Sequence, residues 1–250
     1  QNNTFVDSST SPTTVTRNGN TTQGSFSPYG TLWSNYFDGS SYLTTGSNSS
    51  NLAPGSGDFC LEFWINTNST SSAYAGIYGT NSNSTATGWF TVRFQGAVGT
   101  IAVAANNNTY LTAATTLAVN TWNHVAVVRN SGTLAIYLNG TLDASTSDTT
   151  DFGSGNTANW IIGADNPIGR YISGNISNLR LVKGSPVYTS NFTPSTTPLT
   201  AITNTKLLTC QSNRFIDNSA ANYAIAIAGG TPSVQRFSPF NPTASYSTAT

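Results

Sequence analysis

Charge is what this chain lacks most. Charged residues fill 7% of its 250 positions, and nine Lys+Arg offset nine Asp+Glu, where ordinary soluble domains carry about 25%. Nucleic-acid binding is disfavoured, because phosphate contacts need clustered Lys and Arg and no basic run exists. Histidine occurs once, at His124, so a multi-histidine metal site cannot form within one chain. Glutamate occurs once, at Glu62, and no second carboxylate follows it at alternate positions. That removes the pair of carboxylates that glycoside hydrolysis normally needs. A Ser-His-Asp triad has no Gly-x-Ser-x-Gly elbow to stand on. The only cysteines, Cys60 and Cys210, have no metal-site spacing; they are one disulfide or two buried thiols. No apolar run approaches the roughly 18 residues of a membrane-spanning helix. Methionine is absent and no signal peptide is visible, so Gln1 is not expected to be the translation start.

What the chain does have is Ser, Thr, Asn and Gly in excess, together with five Trp, eleven Tyr and twelve Phe. Those aromatics supply enough apolar surface to drive burial, which rules out disorder. β-Branched and aromatic runs are separated by Gly, Asn and Ser clusters, and almost nothing reads as helix. In Phe59–Ile65, the side chains of Phe59, Leu61, Phe63 and Ile65 share one face of a strand. Further strands are expected at Trp89–Phe94, Thr100–Ala104, His124–Arg129, Leu134–Leu138, Trp160–Gly163, Ile176–Val182 and Lys206–Cys210. Asn139-Gly140 is a strong two-residue hairpin signal, since both positions tolerate positive φ. Many short strands with frequent turns predict an all-β fold, a two-sheet antiparallel sandwich.

Several of these segments resemble a known family. Tyr36-Phe37-Asp38-Gly39, Gly57-Asp58-Phe59 running to Ile65, Trp122-Asn123-His124 running to Arg129, Leu134 to Gly140 and Gly174-Asn175-Ile176 are similar, in this order, to the strands of laminin-G-like domains. The resemblance covers roughly residues 30–185 and implies the concanavalin A-like jelly roll shared by lectins, pentraxins and some glucanases. The Glu-x-Asp-x-x-Glu pattern of those glucanases is absent, so the domain is expected not to be an enzyme. The stretch Val187–Pro194, with Lys206–Cys210 and the Phe-Ser-Pro-Phe ending, resembles repeats in structural proteins of aquatic phages.

The two ends of the chain repeat each other. Phe5-Val6-Asp7-Ser8-Ser9 matches Phe215-Ile216-Asp217-Asn218-Ser219, and Phe26-Ser27-Pro28-Tyr29 matches Phe237-Ser238-Pro239-Phe240. Between them Val15, Gly19 and Thr21 match Ile225, Gly229 and Thr231. One unit plus part of another suggests an array. The organisation expected is a segment 1–30 repeated at the C-terminus, a sandwich over 31–200, and a segment 201–250 that opens a second repeat or is donated to a neighbouring subunit. Family domains of this kind usually place a strand like Lys206–Cys210 ahead of the Phe-x-Asp segment. The segment Lys206–Phe240 is therefore expected against a neighbouring copy, and an unpaired sheet edge would accept it. The rival is closure in cis, with Lys206–Cys210 beside Tyr36–Leu43 and Phe215–Phe240 left over. Assembly residues on this reading are Phe5, Asp7, Phe26, Lys206, Leu207, Leu208, Phe215, Asp217, Phe237 and Phe240. The leading expectation is a non-enzymatic structural subunit or repeat of an extracellular or virion fibre, joined head to tail to copies of itself. The alternative is a carbohydrate-binding adhesin domain recognising cell-surface glycans.

Three sets of side chains bear on ligands. Glu62 is expected to point outward and pair with a cation such as an arginine, and His124 to hold a structural hydrogen bond. Asp143, Asp148, Asp151 and Asp165 lie in turn-rich segments. They are the candidates for calcium, which takes oxygen ligands and which laminin-G-like domains often bind at one rim. Solvated loop aspartates are the commoner reason for such residues. Trp33, Tyr74, Tyr78, Trp89 and Tyr110 lie near loops or strand ends and are the candidates for stacking on sugar, whereas Trp64, Trp122 and Trp160 are expected in the core.

Overall fold

The computed structural model describes residues 32–45, 50–68, 73–96, 99–165 and 169–240. Phe5, Asp7 and Phe26 fall outside these residues. No α-helix occurs among the described residues, and a 3-10 turn spans Ser50–Leu52.

Two antiparallel sheets face each other. The first contains β1 (Ser34–Asp38), β3 (Phe59–Thr67), β8 (Asn123–Asn130), β9 (Thr133–Leu138), β10 (Thr141–Ser147), β14 (Ser173–Lys183), β15 (Thr205–Thr209) and β17 (Ser233–Gln235). Its order is β10-β9-β8-β3-β14-β1-β17, with β15 also paired to β14. The second contains β2 (Tyr42–Thr45), β4 (Gly76–Thr80), β5 (Phe90–Gln95), β6 (Thr100–Ala105), β7 (Asn108–Thr116), β11 (Trp160–Ile162) and β16 (Ile225–Gly229), in the order β16-β2-β11-β4-β5-β6-β7. A small ribbon pairs β12 (Ala164–Asp165) with β13 (Arg170–Tyr171).

The alternation along β3 produces the core directly. Phe59, Leu61, Phe63 and Ile65 are fully buried, as are Val125 and Val127 from β8 and Leu134 and Ile136 from β9. They meet Phe90, Val92 and Phe94 of β5 and Ile101 and Val103 of β6 from the other sheet. Leu138 completes the β9 face at 8% exposure. Asn139 and Gly140 both take positive φ, 50° and 82°, so the turn between β9 and β10 is the tight hairpin that the dipeptide favours.

The C-terminal segment does not behave as expected. Leu207 and Leu208 lie in β15, paired with Leu181 and Arg180 of the long strand β14, not beside Tyr36–Leu43. Nor is the following copy left over. Its Ile225–Gly229 pairs with β2 on the edge of the second sheet, and its Ser233–Gln235 pairs with β1 on the edge of the first. The segment thus closes both sheets of its own chain, because β1 and β2 each have a free hydrogen-bonding side that needs a partner. Residues 201–240 belong to the sandwich.

Cys60 and Cys210 are free and buried. Burial raises the Cys60 thiol above its ordinary value and pushes Cys210 up to about 12.

Candidate functional site

The outer face of the first sheet is covered by its own chain. Cys60, Ala126, Val128, Ala135, Tyr137 and Val182 form a second apolar cluster there. The segment after β14 crosses it as a strap, laying Val187, Tyr188 and Phe192 on the cluster. The rings of Tyr188 and Phe192 stack 3.5 Å apart at 4°.

Beneath this strap lies Glu62, fully buried rather than exposed on an outward strand position. Its Oε1 accepts hydrogen bonds from Arg180 Nη2 at 2.6 Å and Nε at 3.0 Å. Its Oε2 accepts from the Tyr188 hydroxyl at 2.9 Å and lies 3.3 Å from His124 Nε2. Burial alone would raise the carboxyl's pKa; the hydrogen bond and charge of His124, with those of Arg180, outweigh it and hold Glu62 below its ordinary value. Burial and the neighbouring carboxylate push the Tyr188 phenol up. Arg180 also donates Nη1 to the Thr200 carbonyl at 2.8 Å, tying down the far end of the strap. The arrangement is a lock, and it leaves the carboxylate sealed from any substrate.

Three of the four calcium candidates are engaged elsewhere. Asp148 pairs with Arg129 at 3.1 Å, and Asp165 pairs with Arg93 at 3.1 Å. Asp143 Oδ2 accepts the backbone N–H groups of Ala114 and Thr115. Asp151 is exposed. No group of three or more His, Cys, Asp or Glu side chains gathers among the described residues.

The sugar-stacking candidates scatter. Trp33, Tyr78 and Trp89 are buried, with at most 2% of each exposed, so they are not surface platforms. Tyr78 stacks on Trp160 at 5.2 Å and donates its hydroxyl to the Leu52 carbonyl. Tyr110 packs edge-on against core Phe152. Tyr74 and Trp89 both approach Arg93, whose guanidinium carbon lies 4.7 Å from the Tyr74 ring centroid and 5.4 Å from that of Trp89.

The open aromatic surface is made by residues that the sequence reading assigned to the core. Trp64 and Trp122 are only half-buried. Trp64 sits on the outer face of β3, two residues beyond Glu62, so the same alternation that points Glu62 at the strap points the indole beside the strap's end. The closing segment supplies the opposite wall: Phe240 meets Trp64 edge-on at 5.9 Å, and Phe237 lies 5.2 Å from Trp122. Two adjoining hollows share Trp64 and Pro239. One, of about 370 Å³, is also lined by Asn139, Pro194, Ser195, Thr196 and Phe240. The other, of about 440 Å³, adds Asn120, Thr121, Trp122 and Phe237. No charged side chain lines either. Neither wall was recognisable from sequence, because each indole reads as one more aromatic in a strand-like run. The clue was the even-numbered register with Glu62, which put Trp64 on the outward face.

Known proteins agree with this architecture. A protein from Bacteroides ovatus, provisionally assigned to carbohydrate binding, superposes with a TM-score of 0.59 at 16% identity, over 83% of this chain and 60% of that one. Domain 4 of an extracellular arabinanase from Geobacillus stearothermophilus, solved with arabinotriose, gives 0.50 at 18% identity over 62% of this chain and 72% of that one. The sialidase module of Ruminococcus gnavus bound to α2,3-sialyllactose gives 0.50 at 14% identity over 64% of this chain and 95% of that one. At such identities the likeness shows the fold alone. The chain spans 60% of the length of the Bacteroides protein. No curated protein sequence is significantly similar. Residues 37–186 match the profile described as the concanavalin A-like lectin/glucanases superfamily, in the laminin-G-like branch that Phe37-Asp38-Gly39 and the central hairpin suggest. With the two-sheet sandwich and a match spanning more than half of the chain, this protein belongs to the concanavalin A-like lectin/glucanase superfamily.

Proposed function

We propose that this domain binds carbohydrate without cleaving it, and that the groove beside Trp64 and Trp122 holds the sugar. The observation that carries the reading is the composition of that groove. Half-exposed aromatic rings stand beside amide and hydroxyl groups, and no charge is present. Flat indole faces suit the apolar faces of pyranose and furanose rings, and a few convergent polar groups orient a ligand. A lining without cations favours neutral oligosaccharides over acidic ones. The glycan complexes of the arabinanase domain and the sialidase module support the same use of the fold by analogy. The sealed state of Glu62 supports the non-enzymatic part. A glycan-binding domain of this kind suits an extracellular setting, and no helix among the described residues is long and apolar enough to cross a membrane.

The test is a glycan array followed by titration with the neutral oligosaccharides that score, read by tryptophan fluorescence. Trp64→Ala and Trp122→Ala should each weaken binding by about tenfold or more, equivalent to roughly 1.4 kcal/mol. Trp89→Phe, at a buried position, should not change affinity. Absence of binding to any neutral glycan, or full binding by Trp64→Ala, rejects the reading. Release of reducing sugar from β-glucans would reject its non-enzymatic part.

A further inference from the structure

On the second sheet, two arginines share one carboxylate, in a chain with only nine Lys+Arg. Arg93 reaches Asp165 from β5, and Arg170 reaches it from β13. Arg93 Nη1 donates to Asp165 Oδ2 at 3.1 Å. Arg170 Nη1 stops 3.7 Å from the same oxygen, too far for a hydrogen bond. Two positive charges against one negative leave the group with a positive excess. The ribbon sets Asp165 and Arg170 opposite each other. Gly76 lets that ribbon come close, since a Cβ there would collide with the Ala164 carbonyl.

Hydrogen-bond donors are in surplus as well. Arg93 is 8% exposed, and its Nε is buried with no partner among the described residues. Trp89 beside it is buried too, and its Nε1 is likewise unmet. A guanidinium and an indole N–H can only donate, so what is missing is an acceptor. The other two buried arginines behave differently. Arg129 and Arg180 each donate from all three of their nitrogens. Tyr74 adds an independent observation. Its φ is 64°, a conformation that a bulky residue rarely takes and that collects at ligand sites. There its ring lies 4.7 Å from the Arg93 guanidinium carbon and 5.0 Å from that of Arg170. The open side of the cluster is at Arg170, whose side chain is 41% exposed, with Tyr74 half-buried next to it.

We infer that this cluster is a binding site for a single oxyanion, a carboxylate or sulfate group. A guanidinium fork matches two oxygens of either group. Arg170 supplies the exposed contact. Arg93, fixed by Asp165, supplies the charge beneath it, and the unmet N–H dipoles add to the positive field. An acidic saccharide and a free inorganic anion present the same chemistry, and the test separates them. The site is built on the second sheet and its ribbon, whereas Trp64 belongs to the first sheet. The inference therefore stands apart from the neutral-glycan reading.

The test titrates the full chain with trigalacturonate and, separately, with sodium sulfate, read by calorimetry at low ionic strength. At least one of the two should bind, and added NaCl should weaken it, because an exposed charge contact is screened. Binding of trigalacturonate alone identifies a saccharide-borne group; binding of sulfate as well shows that the free ion is accepted. Arg170→Gln, at an exposed side chain, should weaken the anion about tenfold and leave neutral-oligosaccharide binding unchanged. The indole N–H resonance of Trp89, identified by its loss in Trp89→Phe, should shift on anion addition. Failure of both anions to bind below about 10 mM overturns the inference. So does anion binding that Arg170→Gln leaves intact, or that leaves the Trp89 resonance unmoved. Loss of neutral-glycan binding with anion binding kept would reject the groove and not this site.

Discussion

The Glu62 cluster on the outer face of the first sheet and the outer face of β5 on the second treat buried polar groups in opposite ways. On the first sheet, Glu62 is enclosed by Arg180, His124 and Tyr188, and both of its oxygens have partners. His124 Nδ1 is the one side-chain atom of that cluster left without one. On the second sheet, Trp89, Thr91, Arg93 and Gln95 alternate along one face of β5. Trp89 Nε1, Thr91 Oγ1, Arg93 Nε and Gln95 Oε1 are all buried without a hydrogen-bond partner. Leaving such an atom unmet costs about 1–3 kcal/mol. Polarity around Glu62 therefore holds the fold together, and these four unpartnered atoms along β5 are a burden on it. Removing a polar group should consequently have opposite signs at the Glu62 cluster and at Thr91.

The largest effect belongs to the first face. Glu62→Ala leaves the Arg180 charge buried without its partner, and urea unfolding should show a loss of about 3–5 kcal/mol. A loss below about 1 kcal/mol, the level of exposed ion pairs, would mean the cluster is no lock. Next comes Tyr188→Phe, which removes one hydrogen bond to a carboxylate and should lower stability by about 1.5–3 kcal/mol. Acid should expose the same cluster. Glu62 titrates below its ordinary value in the folded chain, so its contribution is fully present above about pH 4.3. It disappears as pH falls through the folded value, because the unfolded chain takes up the proton first. Stability measured from pH 6 to pH 2 should fall less steeply at the acid end in Glu62→Gln than in the parent; parallel curves would dissociate Glu62 from acid unfolding. The smallest effect tests the second face. Thr91→Val removes an unpartnered hydroxyl at nearly constant volume and should leave stability unchanged or raise it by up to about 1 kcal/mol. A clear loss would show that Thr91 does find a partner in solution.

The fold was legible wherever one face of a strand is apolar and the next polar. β3, β8 and β9 were readable because Phe59 to Ile65, Val125 with Val127, and Leu134 to Leu138 keep a period of two. β7 and β10 escaped notice, since they are edge strands whose Thr, Ser and Asn side chains are largely exposed, and in β7 only Leu111 and Ala113 turn inward. β4 hides behind two glycines, Gly76 and Gly79, where a Cβ would collide with the Ala164 carbonyl and the Phe90 carbonyl. Pairing of Glu62 with an arginine was foreseeable from the register of an outward strand position. Its burial was not, because it depends on a strap more than a hundred residues downstream (Tyr188 and Thr200). The groove was misjudged for a related reason. Whether Trp64 and Trp122 are core or surface depends on Phe237 and Phe240, and those two were assigned to a neighbour.

Closure by the last strands also fixes when this sandwich can exist. β1 and β2 leave the ribosome early, yet the strands that cover their edges, β17 and β16, are made only after nearly the whole domain. At roughly 5–20 residues per second, those edges wait on the order of ten to forty seconds. A nascent chain in that interval resembles an open book, with Tyr42–Thr45 and Ser34–Asp38 as bare margins. Long-range pairing of this sort folds slowly. Pausing or crowding during synthesis should therefore harm this protein more than the same treatment applied to the finished, released chain.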